Sequence, residues 1–166
     1  DARSVAELAQ VTRDPQVETT WGLYLRGDTI VGHEAHSSNL PDQAYTGRKR
    51  PGQPMDLDRR IGEIKAKMAR LGADGYEDYH NHPTGDVTPS SSDVSLAEMQ
   101  ARRIPGYRGH VIIDSGVYTY IPGIHGGPVR IGERLPAGPE RLLIPSQTHD
   151  ILDAEIRSTD DVAMLA

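Results

Sequence analysis

Cysteine is absent from this chain of 166 residues, which removes disulfides, thiolate nucleophiles and every cysteine-held zinc or iron–sulfur site together. Any metal must be held by histidine, aspartate or glutamate. Phenylalanine is absent too, and with one tryptophan against seven tyrosines the core has to use aliphatic side chains and tyrosine rings whose hydroxyls need partners. No apolar run approaches the length of about 18 residues that a membrane helix needs, and Asp1-Ala2-Arg3-Ser4 lacks the charged-then-apolar pattern of a signal peptide. A cytoplasmic location is the expectation. Basic residues are outnumbered, 18 against 24 acidic, for a net charge of −6. That sign is opposite to the footprint of a domain that lives on nucleic acid. The chain does not open on methionine and reads as part of a longer polypeptide.

With 36% hydrophobic and 25% charged residues, the composition is that of a globular protein, long enough for one compact domain and an extension. Val5, Leu8 and Val11 recur every three residues after Ser4, which predicts a short amphipathic helix ending at Asp14-Pro15. Alternation from Glu18 to Leu25, a turn at Arg26-Gly27-Asp28 and a second run from Thr29 to His36 predict a β-hairpin. Trp21 and Tyr24 then fall on opposite faces, with Trp21 assigned to the core. Leu57, Ile61, Ile64, Met68 and Leu71, with Asp56 before and Gly72 after, predict a helix over 57–71. A strand from Gly75 to His82, a loop from Thr84 to Ser92, a helix from Asp93 to about Arg103, and strands over 110–114 and 117–121 complete the pattern. The order predicts an α/β sandwich around a mixed sheet. Residues 38–55 read as a loop with a basic tip, Arg48-Lys49-Arg50, and the Pro/Gly-rich 123–166 as an extension.

The chemistry concentrates in His80-Asn81-His82-Pro83-Thr84-Gly85-Asp86-Val87-Thr88-Pro89-Ser90-Ser91-Ser92-Asp93. Residues two apart on a strand project from one face, so His80 and His82 can offer ring nitrogens to one ion. Asp93 falls in the first turn of a helix, where the helix dipole stabilises a carboxylate. Two imidazoles and one carboxylate leave a fourth tetrahedral position open, as catalytic zinc requires. A bare His-x-His is more often a pair of surface or core histidines than a metal site; the whole string argues for the site. Ser90, Ser91 and Ser92 are all eligible helix N-caps.

His-x-His, seven residues, Ser, two residues, Asp resembles the signature of the JAMM (MPN or JAB) metallopeptidases. His80 to Ser90 is similar to the RadC-like branch, with Thr84 and Val87 departing from its usual Ser and Pro. The likeness covers residues 1–122, which it divides as a RadC-like domain from the extension 123–166. It implies a cytidine-deaminase-like α/β sandwich but not deaminase chemistry, which needs His-x-Glu and Pro-Cys-x-x-Cys. His80-Asn81-His82 is likewise no HNH nuclease motif, whose residues come from separate parts of a ββα unit.

What the resemblance implies is a zinc-dependent metallopeptidase or isopeptidase, with Zn2+ on His80, His82 and Asp93 activating water against an amide bond. A glutamate would serve as general base. Glu18, just before the first strand, is the first candidate and Glu34, on the second strand, the other; each is otherwise a surface carboxylate. Ser90 would donate to the developing oxyanion. Asn81 and Asp86 are assigned structural roles, and His125 and His149 the surface. Compatible substrates are a protein or peptide, ubiquitin-like proteins included, a linker within the parent polypeptide, or a small amide. The competing reading is a non-catalytic binding or scaffold module inside a larger DNA-processing or mobile-element protein, where RadC-like domains also occur. No membrane partner is expected, and direct nucleic-acid binding is not favoured by the charge.

Overall fold

A computed structural model describes residues 2–13, 16–37 and 56–135. The basic tip at 48–50, His149 and residues 151–156, whose sequence predicts a short helix, lie outside the described residues. Helix α1 (Ala2–Thr12) precedes a hairpin of β1 (Thr19–Arg26) and β2 (Thr29–Ser37). Helix α2 (Leu57–Leu71) leads to β3 (Gly75–Asn81), and α3 (Ser91–Arg103) to β4 (Tyr107–Asp114), β5 (Val117–Pro122) and β6 (Arg130–Arg134). The strands form one six-stranded mixed sheet in the order β2-β1-β3-β4-β5-β6. Only the central β3–β4 pair is parallel. A parallel pair cannot be closed by a tight hairpin, so α3 supplies the crossover. Among the described residues no helix is long and apolar enough to cross a membrane.

The alternation that predicts β1 sorts its side chains onto two cores. Trp21, Leu23 and Leu25 pack with Tyr79, Val111, Ile113 and Tyr118 against Val5, Leu8 and Ala9 of α1. On the opposite face Tyr24, Tyr76 and Tyr107 meet Ile61, Ile64 and Met68 of α2. Burying each of these aliphatic side chains contributes roughly 1.5–3 kcal/mol. Gly22 matters on this face: a Cβ there would meet the Tyr76 hydroxyl at 2.6 Å. The tyrosines obtain the partners that burial demands. Tyr24 donates to Glu34 Oε1 at 2.8 Å, Tyr107 to Asp78 Oδ1 at 2.8 Å and Tyr120 to the Arg108 carbonyl at 2.6 Å.

Helix α2 matches its predicted span. Asp56 accepts from the Arg59 amide at its start, and Gly72, in the left-handed region at φ 64°, ends it. Helix α3 begins two residues earlier than predicted, because Ser90 is the cap and Ser91 and Ser92 are already helical. The sheet also continues beyond residue 122. Strand β6, inside the segment read as an extension, pairs antiparallel with β5, and its Ile131 is exposed.

Candidate metal centre

Strand pairing draws the site together. Thr20 of β1 pairs with His80 of β3, which carries Glu18, just ahead of β1, to the end of β3. Glu18 and His80 are both buried. Glu18 Oε1 lies 3.4 Å from His80 Nε2 and 4.0 Å from His82 Nε2. Asp93 reaches the same point from α3, with Oδ1 3.6 Å from His80 Nε2 and Oδ2 3.8 Å from His82 Nε2. The two imidazole Nε2 atoms are 2.8 Å apart. Glu18, His80 and His82 each contribute a ligand atom within 4.8 Å of the others, a group that could hold a metal ion. A tetrahedral ion with ligands at about 2.0–2.1 Å has ligand–ligand edges of about 3.3–3.4 Å. The observed separations, 2.8 to 4.0 Å, bracket that size.

Local structure fixes each group. Ser90 Oγ accepts from the Asp93 amide at 3.1 Å, and Asp93 Oδ2 accepts from the Ser90 amide at 2.8 Å, a reciprocal capping box. Ser90 thereby acts as the N-cap. The contact uses its oxygen as acceptor, so its O–H can still donate. His82 Nδ1 is 2.7 Å from the Asp86 carbonyl. A carbonyl only accepts, so Nδ1 carries a proton, and a ring with that one proton turns its Nε2 lone pair toward the two carboxylates. An acceptor nitrogen facing acceptor oxygens is an arrangement that a cation satisfies. Burial, reinforced by the neighbouring His110 and His82, holds His80 well below the usual imidazole range. It is therefore neutral, the form that ligates metals.

Glu34, the alternative base, stands elsewhere in the network. It pairs across the sheet with Gly22 and ion-pairs with Arg60, with Lys67 Nζ 3.7 Å away. Burial alone would raise its carboxyl, but the hydrogen bond and charge of Arg60 hold it below the usual carboxylate range. Asp86 accepts from the Thr88 amide and shapes the loop that holds His82. His125 is exposed.

Two buried residues escaped the sequence reading. His110 of β4 places Nε2 2.5 Å from His80 Nδ1, and its Nδ1 is 3.0 Å from Asp78 Oδ1. Burial lowers the His110 imidazole, and the Asp78 carboxylate more than offsets this, raising it overall. The signal that could have found them is the parallel register, in which Asp78 pairs with His110.

No protein-family model matches the chain, and no curated protein matches it as a relative.

Proposed function

We propose that this chain is a zinc-dependent amide hydrolase, a metallopeptidase or isopeptidase with the JAMM/MPN sandwich in its RadC-like form. The observation that carries the reading is that Glu18 and Asp93 each stand 3.4 to 4.0 Å from the Nε2 atoms of His80 and His82. They come from three separate segments of the chain. His80, His82 and Asp93 hold the ion, and the rest of the site belongs to water and the substrate carbonyl. Zinc, when bound, supplies Lewis acidity, acidifying water toward a pKa of about 7 and polarising a carbonyl. Glu18 accepts the proton of the attacking water and returns it to the departing nitrogen. The Ser90 O–H donates to the oxygen on which negative charge develops. The strand that carries His80 and the capping box that holds Asp93 pre-position these two ligands.

Elemental analysis of purified protein beside a His82→Ala variant tests this without a substrate. About one zinc per chain, lost in the variant, supports the centre and justifies a screen of amide and isopeptide substrates. A folded wild type that takes up no zinc when it is supplied overturns the reading.

A further inference from the structure

Behind His80 lies a buried polar chain. Asp78 has zero exposure, and His110, Gln100 and Tyr107 are buried around it. The Tyr107 hydroxyl donates to Asp78 Oδ1 at 2.8 Å and the Gln100 amide donates to Asp78 Oδ2 at 3.1 Å. Asp78 is thus oriented by two neutral donors and serves as an acceptor, and His110 Nδ1 faces its Oδ1 at 3.0 Å, at ion-pair distance but off the line of a hydrogen bond. On the far side of the ring, His110 Nε2 and His80 Nδ1 are 2.5 Å apart. Two ring nitrogens this close, with no room for an ion between them, share one proton, whereas the Nε2 atoms of His80 and His82, 2.8 Å apart, share an open side with two carboxylates that a cation can fill. Where His110 carries a single proton, on the Nδ1 that faces Asp78, the shared proton belongs to His80 Nδ1, and His80 Nε2 is the bare atom aimed at Glu18, His82 and Asp93.

From this we infer that Asp78 and His110 are positioning residues for the metal centre: a carboxylate–imidazole pair that fixes the ring orientation and tautomer of His80. The inference rests on the proposed zinc site. The logic is that of a carboxylate acting on a metal-bound histidine, extended through one more ring. His82 is held differently, by a backbone carbonyl on a loop. The two imidazoles therefore have unlike supports, one buried in the sheet and one at its rim.

The decisive variant is Asp78→Asn, nearly isosteric but able to turn an N–H toward His110. Facing a donor, His110 becomes an acceptor at Nδ1 and protonated at Nε2, which drives the His80 proton onto Nε2 and blocks the ligand atom. Zinc affinity is measured by competition with a chromophoric chelator, with circular dichroism to verify folding. Asp78→Asn and His110→Ala should each weaken zinc binding about 10–100-fold. His110→Gln, whose carbonyl can accept from His80 Nδ1, should recover most of that loss. Wild-type affinity in a folded Asp78→Asn and a folded His110→Ala would overturn the inference. Long-range 1H–15N spectra of the histidine rings supply a metal-free reading: Nδ1–H on His80 in the wild type and Nε2–H in Asp78→Asn are expected. The same His80 tautomer in both proteins would overturn the assignment even if the wild type binds no zinc.

Discussion

One oxygen of Asn81 accepts both the Thr19 amide, at 2.9 Å, and the Thr19 hydroxyl, at 2.6 Å. The same carboxamide donates to the Val17 carbonyl at 3.0 Å. Asn81 thus grips the chain on either side of Glu18 while its neighbours His80 and His82 face the other way. Removing this clamp in Asn81→Ala should lower stability by about 1–3 kcal/mol, because buried partners lose their hydrogen bonds. Denaturant melts read that cost. Amide exchange at Thr19 should accelerate more than exchange at Leu23 in the same strand; equal protection at Thr19 in variant and wild type would count against the clamp.

Glu18 and Asp93 stand at similar distances from the imidazoles, so their roles separate only by experiment. Asp93→Ala should lose zinc as His82→Ala does, whereas Glu18→Gln should keep it and lower turnover by about 100-fold or more, the usual contribution of a general base. Zinc stoichiometry is sufficient for the first half. Loss of zinc in Glu18→Gln with retention in Asp93→Ala would exchange the two assignments.

The Glu34–Arg60 pair should be visible in acid. Because the Glu34 carboxyl is depressed in the folded protein, its stabilisation is fully present above the unfolded value of about 4.3. It is lost as pH falls through the lower folded value. In Glu34→Ala the buried Arg60 loses this partner, at a cost of about 3–5 kcal/mol near neutrality. The gap between wild type and variant should narrow below pH 4 in urea titrations at several pH values. Zinc content should not change, since Glu34 serves α2 and not the ligand set.

Ser90 combines a cap with a potential donor, and two substitutions divide them. Ser90→Ala should destabilise by about 1 kcal/mol, Ser90→Gly by only a few tenths. If the hydroxyl also serves the oxyanion, both variants lose activity alike despite their unequal stability. Thermal melts and turnover on a substrate found in the amide screen make the comparison.

What could be read beforehand follows the range of the interaction. Ile61, Ile64 and Met68 announce α2 because helical spacing is local, and His80, His82, Ser90 and Asp93 sit within one short stretch whose spacing carries its own chemistry. Ser90 as the cap, among three adjacent serines, needed the observed bond to the Asp93 amide. His110 was opaque: a lone histidine within a strand of Val111, Ile112 and Ile113 has no local signature, and it meets His80 only through parallel pairing. The Asn81 clamp likewise exists only after β1 docks beside β3. Strand β6 was missed because Arg130-Ile131-Gly132-Glu133-Arg134 lies in a Gly/Pro-rich segment and contributes little to the core.

The groups of the site are contributed from before β1, from the end of β3 and from the first turn of α3, so an unfolded chain has no comparable cage. An ion held there is a ligand of the native state alone, and free zinc at 100 times its dissociation constant would add about 2.7 kcal/mol to folding stability. Melting temperature then becomes a gauge of occupancy, and chelators act as denaturants in proportion to how much of the native population the ion was holding in place.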